Sequence, residues 1–106
     1  MTKKLHIDTL CVQAGYNPTK GEPRQVPIIQ STTFKYDTSE QMGKLFDLEE
    51  NGYFYTRLQN PTNDTTAAQI AAIEGGVAAM LTSSGQAANF FACFNICQAG
   101  DHMITT

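Results

Sequence analysis

Val77-Ala78-Ala79-Met80-Leu81-Thr82, followed by Ser83-Ser84-Gly85-Gln86-Ala87-Ala88, decides how this chain folds. The first six residues form a near-continuous apolar run, the pattern of a strand buried on both faces. Ser83-Ser84-Gly85 is a small-residue turn. From Gln86 to about Gln98 the sequence predicts a helix carrying Phe90, Phe91, Phe94, Ile96 and Cys97. It has hardly any polar face, which predicts that it is buried. Ala99-Gly100-Asp101 turns the chain, and His102-Met103-Ile104-Thr105-Thr106 reads as the opening of a second buried strand. Strand, helix and strand at this spacing make a βαβ unit with a parallel sheet, so the expected class is α/β. The chain stops inside that last strand, which predicts the first, incomplete part of a larger domain.

Upstream, Asn60-Pro61 opens a helix: Asn60 can cap it, and Pro61 suits the first turn, where its missing N–H costs nothing. Ile70 and Ile73 are its expected buried face, the alanines at 67, 68, 71 and 72 permit close packing, and Gly75-Gly76 ends it. Thr38-Ser39-Glu40-Gln41 fits a capping box. The helix it opens places Met42, Leu45 and Phe46 on one face and is expected to fade near residues 49–51, with Gly52 ending it. Asp8 can cap a short helix over residues 9–14, with Gly15 just past its end. The rest of residues 1–36 has weak periodicity and three prolines, Pro18, Pro23 and Pro27. It reads as an extended arm that buries its own apolar groups poorly and is expected to lie over a partner subunit. The division expected is therefore 1–59, an arm and inter-subunit segment, and 60–106, the start of an α/β domain.

The 106 residues carry a net charge of −3, with seven Lys and Arg scattered along the chain. That excludes the basic field of a nucleic-acid-binding surface. No apolar run approaches the roughly 20 residues a membrane span needs. Met1-Thr2-Lys3-Lys4 is basic, but no apolar signal core follows it. Cys11, Cys93 and Cys97 are too few and too odd for a disulfide framework, which points to a reducing cytoplasm. Cys93 and Cys97 lie one helical turn apart, but no third ligand has metal-site spacing; buried free thiols are expected instead. His6 and His102 have no Ser or Asp partner arranged for nucleophilic catalysis.

Two motifs carry chemistry. A helix N-terminus after a strand offers unpaired N–H groups and a partial positive charge, which suits phosphate. At Ser83-Ser84-Gly85-Gln86, Gly85 lets an anion approach the backbone and a serine hydroxyl adds a donor. In Tyr55-Thr56-Arg57, residues two apart in extended backbone point the same way, setting a phenol beside a guanidinium fork. Taken alone, each motif favours a plainer reading, and for the first it is a strand–helix turn capped by serine. A Tyr–Arg pair on a solvated strand explains the second. Together they read as two halves of one phosphate-binding site.

Several landmarks in order resemble one family: Val26-Pro27-Ile28-Ile29-Gln30-Ser31-Thr32-Thr33-Phe34, Tyr55-Thr56-Arg57, Asn60-Pro61-Thr62, Ile73-Glu74-Gly75-Gly76 and Ser83-Ser84-Gly85. From about residue 8 to the last residue, the chain resembles the pyridoxal-phosphate (PLP) enzymes of Cys/Met metabolism, of fold type I and γ-family. The stretches Ser84-Gly85-Gln86-Ala87-Ala88 and Leu45-Phe46-Asp47-Leu48-Glu49-Glu50-Asn51-Gly52-Tyr53 look like the O-acetylhomoserine sulfhydrylase branch.

The resemblance implies a fold-type I, aminotransferase-like enzyme whose large PLP-binding domain begins here. It implies pyridoxal 5'-phosphate as cofactor, with Ser84, Gly85 and Gln86 on its phosphate. Tyr55 and Arg57 would reach the phosphate held by the neighbouring subunit, in a homotetramer built as a dimer of dimers. It implies γ-replacement on O-acetyl-L-homoserine by sulfide or a thiol, giving homocysteine. No catalytic residue is expected in this segment. The family's PLP-bearing lysine lies far downstream, and Lys3, Lys4, Lys20, Lys35 and Lys44 stand in other contexts. A PLP-dependent γ-lyase such as methionine γ-lyase, a phosphate-binding module without catalysis, and a segment acting only by joining a partner chain are the competing readings.

Overall fold

The computed structural model describes residues 5–106, so Met1, Thr2, Lys3 and Lys4 of the basic N-terminus lie outside the described residues. Four helices follow one another: α1 (Ile7–Gln13), α2 (Ser39–Phe46), α3 (Pro61–Glu74) and α4 (Gly85–Ile96). Each begins on a side chain that accepts a backbone N–H, which satisfies one of the donors a helix start leaves unpaired. In α2 Thr38 accepts from Gln41, in α3 Asn60 accepts from Thr62, and in α4 Ser84 accepts from Ala87. At α1 the cap is His6, whose ring accepts from Asp8 N–H, and not Asp8 as expected. α3 ends at Gly75 in the left-handed conformation, φ 69°, as the Gly75-Gly76 pair predicts.

α2 stops at Phe46, earlier than expected. The N–H groups of Glu49 and Glu50 both return to the Lys44 carbonyl, and Leu48 takes a positive φ of 59° to make that turn. Gly52 has a packing role instead of an ending one: a Cβ there would lie 2.7 Å from the Tyr36 hydroxyl and 2.9 Å from Leu45 Cδ2. Leu45 is buried as its spacing predicts, Met42 is half-buried, and Phe46 meets Phe54 in a tilted ring contact at 4.5 Å while staying exposed.

α1 packs on α3. Gly15, φ 83°, sits against the α3 backbone, where a Cβ would meet the Thr65 carbonyl and lie 2.7 Å from Gln69 N. The Gln69 amide donates to the Cys11 carbonyl at 2.6 Å. Ala71, which lines a hollow with Ala67, Ala68 and residues 76–79, is the buried apolar residue of α3; Ile70 is exposed and Ile73 half-buried, against expectation.

The expected βαβ unit is not formed. Among the described residues the one strand-like pairing is an antiparallel bridge between Thr33 and Tyr55. Residues 77–82 and 102–106 carry no ladder, and Val77 and Ile104 are fully exposed. A strand apolar on both faces needs neighbours for its backbone groups and cover for its side chains. Neither is supplied here. The apolar helix α4 is exposed for the same reason, and its Phe90 and Phe94 rings stack on one another at 5.2 Å. The thiols expected to be buried are not: Cys11 and Cys93 are exposed and Cys97 is half-buried. The accessible surface is 9447 Å², against about 5,800 Å² for a compact monomer of this mass. The radius of gyration is 17.6 Å, against about 13 Å for a compact chain of this length.

Candidate phosphate site

The first-turn N–H groups of α4 have no acceptor within the helix. Ser84 Oγ takes that of Ala87 at 3.1 Å, which leaves those of Gly85 and Gln86. Ser84, Gly85 and Gln86 are all exposed, and a Cβ on Gly85 would meet nothing within 4 Å. The result is an open cradle with two backbone donors, one hydroxyl and the positive end of a helix dipole.

Tyr55 and Arg57 come together as the sequence predicts, by another route. Tyr55 is bridged to Thr33 and then opens a turn, with Leu58 and Gln59 N–H both returning to its carbonyl. The backbone is therefore not extended through Arg57. The guanidinium folds back over the phenol, Cζ 5.1 Å from the ring centroid, which stiffens the pair by cation–π attraction. Arg57 has no carboxylate partner among the described residues, where Lys44–Glu50 is an ion pair. Its donors remain available to an anion.

The two motifs do not meet in either of the hollows that Arg57 lines. Tyr55 and Arg57 line a hollow of about 360 Å³ with Phe34, Met42, Phe46 and Phe54. Arg57 also reaches a smaller one of about 130 Å³ beside Ala79, Met80 and Leu81. Ser84, Gly85 and Gln86 line neither. No group of three or more His, Cys, Asp or Glu among the described residues could hold a metal. No described helix is long and apolar enough to cross a membrane.

The sequence reading missed what holds the Tyr55–Arg57 turn. Asn60, 2% exposed, donates from Nδ2 to the Ile29 carbonyl at 3.0 Å and to Thr56 Oγ1 at 3.1 Å, while Oδ1 accepts from Thr62 N–H at 2.9 Å. Thr56 N–H donates to the Thr32 carbonyl at 2.9 Å, and its hydroxyl donates to the Ser31 carbonyl. Thr62 Oγ1 accepts from Ile29 N–H and donates to the Pro27 carbonyl, each at 2.9 Å. Residues 27–33 are thus tied to their own chain by these bonds. The available signal was the cap itself: a capping Asn brings an amide NH2 whose two donors must be placed once it is buried.

A glycine-bordered helix start and a guanidinium held over a phenol both offer hydrogen-bond donors and positive charge to an anion. The Cys/Met metabolism PLP-dependent enzyme family matches over residues 8–106, and the chain belongs to it. It is 42% identical over 106 residues to O-acetyl-L-homoserine sulfhydrylase 1 of Thermus thermophilus, covering 96% of this chain and 24% of that protein. It is 43% identical over 104 residues to L-methionine gamma-lyase of Fusobacterium nucleatum, covering 98% and 26%. A crystal structure described as an O-acetylhomoserine (thiol)-lyase of Campylobacter jejuni, with N'-pyridoxyl-lysine-5'-monophosphate, superposes with a TM-score of 0.81 at 35% identity. That match covers 92% of this chain and 24% of the other. The chain spans about a quarter of the length of the relatives it matches.

Proposed function

We propose that this chain is the phosphate-anchoring part of a PLP-dependent sulfhydrylase that makes homocysteine from O-acetyl-L-homoserine and sulfide or a thiol. The observation that carries the anchoring role is the open α4 start, where Gly85 and Gln86 present free N–H groups beside the Ser84 hydroxyl. This donor set fits a phosphate dianion in charge and in reach. Tyr55 and Arg57 reach the phosphate of a neighbouring subunit, a reading supported by the absence of Ser84, Gly85 and Gln86 from the hollow that the pair lines within one chain. The site is then complete only in an oligomer, a dimer of dimers, and the apolar surface left open on α4 and residues 77–82 is available for cover. Three free thiols suit a reducing cytoplasm.

When bound, PLP supplies the electron sink for chemistry at the substrate's carbons. This chain's residues hold the phosphate end still, so that the reactive end keeps its position. The sulfhydrylase relatives favour replacement at the γ-carbon. The methionine γ-lyase relative, at 43% identity, favours elimination as the second reading.

The test is Arg57→Ala in the full-length protein, read as the dissociation constant for PLP. A loss of about tenfold or more is expected when a charge-assisted contact is removed. Unchanged affinity overturns the role of the pair. Keto-acid release from substrate without added sulfide would decide for the lyase.

A further inference from the structure

The Tyr55–Arg57 pair is exposed on the guanidinium side and sits in a turn, yet it lies beside the one buried polar side chain among the described residues. That side chain is Asn60. A buried amide with unmet donors is costly, so its bonds fix their partners as firmly as they fix the amide. Its two donors go to different pieces of chain. One holds the Ile29 carbonyl, in the segment leading to Thr33, and Thr33 bridges Tyr55. The other holds the Thr56 hydroxyl, between Tyr55 and Arg57. Thr56 in turn binds Ser31 and Thr32. The turn is therefore fastened on both sides by a network converging on Asn60, and neither Tyr55 nor Arg57 contributes a side-chain bond to it.

We propose that Asn60 is a positioning residue. Its amide, acting through the Thr56 hydroxyl and the Ile29 carbonyl, sets where the Tyr55–Arg57 pair presents its donors. This rests on the phosphate role proposed above. Helix capping is a separate task of the same side chain: Oδ1 caps α3, whereas Nδ2 holds the turn. Asn60→Ser keeps a capping oxygen and removes both amide donors. Thr56→Val removes the hydroxyl from the other side and leaves the cap untouched. Thr56→Ser retains the hydroxyl.

The experiment uses the full-length protein and measures the dissociation constants of PLP and of pyridoxal, which lacks the phosphate, together with amide hydrogen exchange at Thr56. Asn60→Ser and Thr56→Val are each expected to weaken PLP binding about tenfold, the size of one charge-assisted contact misplaced. Pyridoxal binding should stay as it was, Thr56 exchange should quicken, and Thr56→Ser should restore both. Combining either variant with Tyr55→Phe and Arg57→Ala together should add no further loss, because the network acts through that pair. Thr56→Val carries the test alone if Asn60→Ser does not fold.

PLP affinity equal to the parent, an equal loss for pyridoxal, or losses that add to that of the Tyr55→Phe, Arg57→Ala double variant would each overturn the assignment. Those results with Arg57→Ala still weakening PLP leave the phosphate role standing. If Arg57→Ala has no effect, the phosphate role falls and this assignment falls with it.

Discussion

The Thr62 hydroxyl accepts the Ile29 N–H at 2.9 Å and donates to the Pro27 carbonyl at 2.9 Å, so one side chain at the start of α3 grips the backbone of a segment more than thirty residues earlier. Thr62→Val removes both bonds and leaves a part-buried N–H without its partner. The expected cost to local stability is about 1–3 kcal/mol. It would be read as faster exchange of the Ile29 amide, with Thr62→Ser close to the parent. An unaltered Ile29 exchange rate would show that the segment is held by something else.

Gly15, just past α1, lies against the α3 backbone with no room for a Cβ. Alanine there is strained at φ 83° and drives its Cβ toward the Thr65 carbonyl and Gln69 N. Gly15→Ala should cost about 2–4 kcal/mol from backbone strain and overpacking together. Gly21, φ 91° with open space around it, supplies the control, since Gly21→Ala pays only the backbone term, about 1–2 kcal/mol. Limited proteolysis of residues 5–20 should separate the two, with Gly15→Ala cut faster.

Gly85 offers a way to separate folding from ligand binding. Its φ is not in the left-handed region and a Cβ meets nothing within 4 Å, so the chain itself tolerates alanine. Gly85→Ala should leave stability unchanged or raise it by up to about 1 kcal/mol. PLP affinity should fall about tenfold or more, because the added methyl occupies the anion's approach to the backbone. Parallel thermal melts and PLP titrations check this. A variant that binds PLP as the parent does would remove Gly85 from the site.

Burial raises the Tyr53 phenol above its ordinary range, and the neighbouring Asp64 carboxylate pushes it the same way. A raised folded value means the neutral phenol is favoured in the folded protein. Its contribution is fully present below the ordinary tyrosine value of about 10 and is lost as pH rises through the higher folded value. In an alkaline titration of tyrosinate absorbance, Tyr53→Phe should remove the latest-titrating component. Asp64→Asn should bring it earlier. A titration unchanged by either substitution would contradict the assignment.

The caps at Thr38, Asn60 and Ser84, the Gly75 stop and the buried Leu45 could be read directly, because each depends on a few adjacent residues and on backbone geometry common to all helices. The open α4 start was legible for the same reason. What could not be read was every consequence of a distant neighbour. Ile70 and Ile73 were expected inside, but the chain after Gly75 folds beside Ala67, Ala68 and Ala71, and Ala71 is the one buried. The Tyr55–Arg57 pair was placed on one side by extended backbone, whereas a turn and a ring contact do it. The sheet was expected from apolar residues 77–82 and 102–106, but strands exist only where other backbone pairs with them, and here none does.

By itself the sequence determined where helices start and stop, which groups can grip an anion, and membership of a PLP-dependent family, since these are written in local residue types and their order. Only the tertiary structure decided that residues 27–33 fasten to Thr56, Asn60 and Thr62, and that the apolar strand and helix segments lie uncovered. Hydrogen bonds across thirty residues and the burial of apolar faces depend on which surfaces meet, and no local pattern of side chains specifies that.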